Sequence, residues 1–179
     1  MKNRLTSLLL ALICCMVSYA QEQSEATAWN HFVWGAEAGG AIDMTSNDMS
    51  TINLDAFFGY KNSWINALGI GASVNMMVSN SVRSFPVYAM FRTGFKKTPT
   101  LLFMDLRGGC VFNNINNNTQ QTRLYLSPGV GINLARGRSF TSYITVSYVY
   151  NGLSSFAKDG ERYDINGLSM ACVRIGISF

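Results

Sequence analysis

The sequence predicts an all-β fold: an eight-stranded antiparallel up-and-down transmembrane β-barrel, preceded by a cleavable signal peptide. Three observations point there. From Trp29 on, apolar and polar residues alternate in segments of about ten residues separated by turn chemistry. Charges that fall inside those segments lie on the face opposite the apolar one. Beyond the leader, no apolar run approaches the ~20 residues a helical span needs. Yet 48% of residues are hydrophobic and only 13% are charged. Hydrophobicity spread in alternation, with no long apolar block, suits strands that cross a bilayer.

The leader is Met1-Lys2-Asn3-Arg4, then an apolar run from Leu5 to Val17, then Ser18-Tyr19-Ala20. A basic start, a short apolar run and small residues before the junction predict cleavage after Ala20, giving a signal peptide over 1–20 and a barrel domain over 21–179. Ile13 before Cys14 fits a lipoprotein signal poorly, so no lipid anchor is expected. Without Lys2 and Arg4, the 14 basic residues fall to 12 against 10 acidic. That balance argues against a nucleic-acid partner.

Residues 21–28 read as a loose lead-in. The first strand, about 30–43, sets Phe32, Trp34, Ala36, Ala38 and Ile42 against Gly35, Glu37, Gly39 and Asp43. The second, about 50–60, sets Ile52, Leu54, Ala56, Phe58 and Tyr60 against Thr51, Asn53 and Asp55. The third, about 66–77, opposes Leu68, Ile70, Ala72, Val74 and Met76 to Gly69, Gly71, Ser73 and Asn75. The fourth, about 85–95, opposes Phe85, Val87, Ala89 and Phe91 to Tyr88, Met90 and Arg92, with Pro86 tolerated near its start. The fifth, about 101–112, opposes Leu102, Met104, Leu106, Cys110 and Phe112 to Phe103, Asp105, Arg107 and Gly109. The Asn/Gln run 113–121 reads as a solvated loop.

The sixth strand, about 122–134, sets Leu124, Leu126, Val130 and Ile132 against Tyr125, Ser127, Gly129 and Gly131. The seventh, about 140–150, sets Ile144, Val146 and Tyr148 against Tyr143, Thr145 and Ser147. A longer loop, Asn151 to Tyr163, precedes the last strand, about 165–179. There Ala171, Val173, Ile175, Ile177 and Phe179 alternate with Cys172, Arg174, Gly176 and Ser178. Connections after odd-numbered strands read as longer and polar, and those after even-numbered strands as short. Short turns and both chain ends then share the periplasmic side.

Alternation alone does not say which face points out, because a soluble barrel also alternates. The mid-strand charges do. Turned outward, Glu37, Asp55, Arg92, Asp105, Arg107 and Arg174 would be a sparse soluble surface; turned inward, they pair in a polar lumen. Aromatics gather near strand ends. Phe32, Trp34, Tyr60, Phe95 and Phe179, with Trp64, mark one end, and Phe85, Phe112 and Tyr150 the other, as interfacial girdles would. Glycines on the polar face make room for Arg and Tyr side chains inside a barrel of this size. Cys110 and Cys172 fall on opposite faces, so no disulfide is expected.

The leader, FGYKNSW (58–64), FPVYAMFRTGF (85–95), YLSPGVGINL (125–134) and VRIGISF (173–179) together resemble the small outer-membrane β-barrel (porin-like) family of Gram-negative bacteria, in its Bacteroidetes-type branch. The resemblance implies a cell outer membrane location, with outer-membrane lipids around the barrel. It also implies an assembly signal of Val173, Ile175, Ile177 and Phe179, read by the barrel-assembly machinery during biogenesis. No peptidoglycan-binding domain is expected, because the chain ends at the barrel.

The function expected is structural or surface-interacting, not enzymatic, with a filled lumen held by Glu37, Asp55, Arg92, Asp105, Arg107 and Arg174. The alternatives are a narrow porin-like channel lined by the same residues, an outer-leaflet lipid-modifying enzyme and a soluble periplasmic ligand-binding barrel. An enzyme would need a base for its nucleophile, and His31 is the sole histidine, placed at the periplasmic end. No cofactor or metal is expected, and the chain reads as a monomer. The loops are too chemically plain to name an extracellular partner.

Overall fold

A computed structural model describes residues 31–45, 49–62, 64–78, 83–95, 101–115, 119–137, 139–153, 155–158, 161–164 and 167–179. The leader, the lead-in, Lys96, Lys97, Arg138 and residues 116–118 of the Asn/Gln run lie outside these residues.

Alternation over ten or more residues becomes strand wherever one face has a place to bury itself. The strands are β1 (Phe32–Asp43), β2 (Thr51–Tyr60), β3 (Ile65–Met77), β4 (Arg83–Gly94), β5 (Leu102–Ile115), β6 (Thr119–Arg136), β7 (Thr141–Asn151), β8 (Ser155–Lys158), β9 (Glu161–Asp164) and β10 (Leu168–Ser178). Eight of them close into one antiparallel barrel in the order β1-β10-β7-β6-β5-β4-β3-β2. The last closure joins β1 to β10 from Gly35/Ser178 to Asp43/Met170. Trp34 and Phe179 extend it by exchanging backbone hydrogen bonds, at 3.3 and 2.8 Å. No edge strand is left in the barrel, and every strand finds ladder partners on both sides.

The barrel is inside out relative to a soluble one. Ile70 is 67% exposed and Ile175 58%, whereas Arg174 is 2% exposed and Glu37 3%. The outer wall carries Ile, Leu, Val and Phe on every strand of the barrel. Aromatics thicken it at the end where β1 starts and β10 finishes. Trp34 stacks on Phe179 with centroids 4.5 Å apart, and Phe32 on Phe58 at 5.7 Å. At the other end Phe85 and Phe112 face each other across β4 and β5. Cys110 points out and Cys172 in, and both are free thiols.

Three expectations about the loops are corrected. The Asn/Gln run is largely strand: β5 and β6 stay paired from Asn113/Gln121 to Ile115/Thr119, with only 116–118 between them. Asparagine and glutamine have low strand propensity, but a hairpin already running in register carries the ladder on past the barrel rim. The long loop after β7 is not featureless either. It holds the separate hairpin β8–β9, paired from Ser155/Asp164 to Lys158/Glu161. Connection lengths also fail to alternate strictly, since 95–101 between β4 and β5 is longer than 116–118.

The interior is layered, not uniformly polar. At the loop end Met49, Val111, Val149, Leu153, Leu168 and Met170 are almost fully buried. Met49 and Leu153 come from loops, and Asp43 helps fold the first of these by accepting from the Met49 amide at 3.3 Å. At the opposite end Val33, Ala67, Met90 and Phe103 are buried. The charged groups sit between these two apolar layers.

Candidate functional site

The six predicted interior charges come together in one cluster, none more than 4% exposed. The register explains the meeting. Glu37 of β1 stands directly across from Asp55 of β2, and Arg92 of β4 across from Asp105 of β5. Two carboxylates side by side repel, so a cation must lie against both. Arg107 does this: its Nη2 donates to Glu37 Oε2 at 2.6 Å and its Nη1 to Asp55 Oδ1 at 3.3 Å. Its Nε donates to Asp105 Oδ1 at 2.9 Å, so one guanidinium holds three acids. A planar fork with five donors suits this, and a lysine ammonium would not span the set.

Arg92 completes the ring. It donates from Nη2 to Glu37 Oε1 at 2.8 Å, and from Nε to Asp105 Oδ2 at 3.0 Å with Nη2 against the same oxygen. Its guanidinium carbon lies 4.3 Å from the Tyr143 ring centroid, 4.8 Å from Phe103 and 5.3 Å from Phe57. Arg174 is set to one side. It donates to Ser147 Oγ at 2.7 Å and to the Tyr125 hydroxyl at 3.2 Å. Its Nε lies 3.5 Å from Asp55 Oδ2, an ion pair without hydrogen-bond geometry. Three arginines against three acids leave this cluster electrically neutral, which lowers the cost of burying them together.

Sequence reasoning placed Tyr88, Tyr125 and Tyr143 on the inner face but missed their roles, and it missed Phe57. Tyr143 donates to Glu37 Oε1 at 2.8 Å and Tyr88 to Asp55 Oδ1 at 3.0 Å. Four of the large inner rings lie over a glycine directly across the ladder: Phe57 over Gly35, Tyr88 over Gly71, Phe103 over Gly131 and Tyr143 over Gly176. A Cβ at Gly131 would sit 2.1 Å from the Phe103 ring. The pairing of an inward aromatic with a cross-strand glycine covers backbone that would otherwise lack side-chain packing. It was detectable as aromatic and glycine on like faces of adjacent segments, once the register is known.

A second polar group, also missed, lies nearer the loop end. Ser84 donates to Asn113 Oδ1 at 2.6 Å, and Asn113 and Asn151 exchange amide hydrogen bonds at 3.2 and 3.3 Å. Asn113 was read as loop; it is buried, and it ties β4, β5 and β7 together. Outside the lumen, in the turn after β2, burial and the nearby Arg136 charge hold Lys61 below the usual lysine range. His31 stacks on Tyr60 at 5.6 Å, at the rim where the chain ends meet.

Among the described residues no group of His, Cys, Asp and Glu could hold a metal ion. Chemically, the cluster neutralises and cross-links; it presents no activated nucleophile.

No protein-family model matches the sequence, and no curated protein matches it significantly. Solved structures do match in shape. The N-terminal β-barrel domain of Pseudomonas aeruginosa OprF aligns with TM-score 0.50 and 14% identity, covering 82% of this chain and 97% of that one. Neisserial surface protein A (NspA) aligns with TM-score 0.53 and 12% identity, covering 83% and 94%. At such identities the likeness is one of fold. The chain has the fold of a small transmembrane β-barrel: eight antiparallel strands, up-and-down, closed on themselves.

Proposed function

We propose that the protein is an integral outer-membrane β-barrel whose lumen is a structural plug, and whose role is architectural or surface-interacting. The observation that carries this reading is the inverted wall: large apolar side chains outside, and a neutral set of paired arginines and carboxylates inside. In water such a wall would be a continuous sticky surface, far beyond the few hundred Å² that soluble monomers usually expose. In a bilayer it matches the solvent. The likeness to OprF and NspA supports the same location by analogy of fold.

The plug reading rests on saturation. Arg92 and Arg107 are engaged on several sides by acids and rings, and apolar layers lie above and below them. A conducting path would have to separate these pairs. The end opposite the chain termini carries the β5–β6 extension and the β8–β9 hairpin, and that end is the proposed surface-facing side. A catalytic role has no observation in its favour. Val173, Ile175 and Ile177 of β10 and Phe179 just beyond it alternate along one face. By the sequence resemblance, this stripe is proposed as the signal read by the barrel-assembly machinery.

The test is fractionation followed by bilayer recording. The protein should sediment with outer membranes, resist extraction by high salt, and show heat-modifiable gel mobility. Refolded protein should give no reproducible unit conductance. Recovery in the soluble periplasmic fraction without detergent would overturn the membrane reading. A unit conductance that changes in Arg92→Ala would overturn the plug.

A further inference from the structure

The ladders of the barrel are not equally complete. Six run without a gap: β4–β5 from Arg83/Asn114 to Gly94/Phe103, β5–β6, β7–β10, β10–β1, β1–β2 and β2–β3. Two are interrupted. In β3–β4 the pairs step from Ala72/Val87 to Asn75/Ser84, missing Ser73 opposite Pro86 and Val74 opposite Phe85. In β6–β7 they step from Leu126/Tyr150 to Gly129/Ser147, missing Ser127 opposite Val149 and Pro128 opposite Tyr148. The same cause fits both. Proline has no N–H, so a ladder loses the rung that N–H would make and the rung that shares it. Both seams also carry an irregularity near the chain-end rim, between Ile65 and Ala67 in one and between Asn133 and Ala135 in the other.

These seams divide the wall in two. Strands β4, β5 and β6 form one fully laddered panel, and β7, β10, β1, β2 and β3 form the other. The interior charges divide along the same line. The three-strand panel carries Arg92, Arg107 and Asp105, a net +1; the five-strand panel carries Glu37, Asp55 and Arg174, a net −1. The contacts of Glu37 with Arg92 and Arg107, at 2.8 and 2.6 Å, and of Asp55 with Arg107 at 3.3 Å, therefore all cross from panel to panel. So do Tyr88 to Asp55 at 3.0 Å, Arg174 to Tyr125 at 3.2 Å, and Asn113 to Asn151.

We propose that the barrel is a two-panel device, in which Glu37, Arg92, Arg107 and Asp55 bolt the panels across the lumen and the proline-broken β3–β4 and β6–β7 seams are where it opens. The joint between the chain ends, β1–β10, is then not the weak one, because its ladder is whole. The lumen would be entered by the panels parting, not by strands fraying from the termini.

The test is residue-resolved amide hydrogen exchange on the refolded full-length protein in lipid nanodiscs. In the wild-type protein the amides flanking the prolines (Ser73 and Tyr88 on one seam, Val130 and Tyr148 on the other) should exchange at least about tenfold faster than those at the centres of β4–β5 and β1–β2. Glu37→Gln should widen that gap, accelerating both seams while leaving the ladders inside each panel unchanged. Pro86→Val with Pro128→Val should narrow it by restoring the missing donors. Equal exchange across all eight ladders, or opening that begins at β1–β10, would overturn the proposal. Should Glu37→Gln fail to fold, the wild-type protein under rising urea decides: seam amides must become labile at lower urea than intra-panel ones, and coincident opening would refute the panels.

Discussion

Glu37 and Asp55 occupy the same rung of adjacent strands and could hardly differ more in how they are held. Glu37 accepts from Arg92, Arg107 and Tyr143, all at 2.8 Å or less, and both its oxygens are engaged. Asp55 accepts from Tyr88 and Arg107 through Oδ1 alone, while Oδ2 faces Arg174 Nε at 3.5 Å without a hydrogen bond. The difference traces to the strands across the lumen. Tyr143 on β7 and Arg92 on β4 converge on Glu37. Across from Asp55 on β3, Ser73 donates to Asn75 instead, and Ser127 Oγ and Thr145 Oγ1, on the rungs of Arg107 and Arg174, have no hydrogen-bond partner. The centre of the cluster is therefore tight and its Arg174 side loose. The contrast teaches that one neutral set of charges can hold a rigid core and a yielding margin.

The largest effect should come from removing the group the two halves share. Arg107→Met leaves Glu37 and Asp55 facing each other without the cation between them, and Asp105 short of a donor. Breaking a buried pair in this way costs about 3–5 kcal/mol. Equilibrium urea unfolding in phospholipid vesicles, followed by tryptophan fluorescence, should register a loss at or above that range. A loss under about 1 kcal/mol, typical of exposed pairs, would mean the cluster is solvated and the contrast empty.

The next two substitutions compare the halves directly. Glu37→Gln keeps the shape but gives up charge-assisted bonds to both arginines, worth about 1.5–3 kcal/mol. Asp55→Asn keeps an oxygen for Tyr88 and Arg107 and gives up no hydrogen bond at Oδ2, but it takes a carboxylate from beside Arg174, which keeps Ser147 and Tyr125 as partners, so the same assay should find a loss smaller than that of Glu37→Gln. The order of the two matters more than either value. If Asp55→Asn proves the costlier, the looser margin is an error of geometry and not of energy.

How much of this was legible in the sequence follows from the period of a strand. Inward and outward are fixed by parity, so Glu37, Asp55, Arg92, Asp105, Arg107 and Arg174 could be placed on one face from alternation alone. Which of them touch could not. Contact depends on the stagger between neighbouring strands, and no local signal sets a strand's slide along its partner. The same gap hid Tyr143 behind Glu37 and Phe57 over Gly35. The Asn/Gln run failed differently. Composition called it loop, but a hairpin already in register overrode propensity and drew Asn113 inward. Pro86 and Pro128 were visible as odd residues within strands; that they break opposite borders of one panel needed the ladder partners.

The smallest expected effect is a coupling, which tests whether the second polar group behaves as a margin of the cluster or as a separate lock. Asn113, Asn151 and Ser84 join β4, β5 and β7 through neutral bonds at 2.6–3.3 Å. Asn113→Ala removes the three that involve Asn113 and leaves the 3.3 Å bond from Asn151 to Ser84. Neutral bonds of this kind are worth about 1 kcal/mol, and no ion is uncovered by the change. With three such bonds lost, the cost should be about 2–3 kcal/mol. It should also add to the cost of Asp55→Asn within about 0.5 kcal/mol, as it does for independent sites. A coupling above about 1 kcal/mol in the double variant would join the asparagine group to the charged cluster. The lumen would then be one cooperative plug from its centre to the loop end, and the distinction between tight core and yielding margin would have to be redrawn around Asn113.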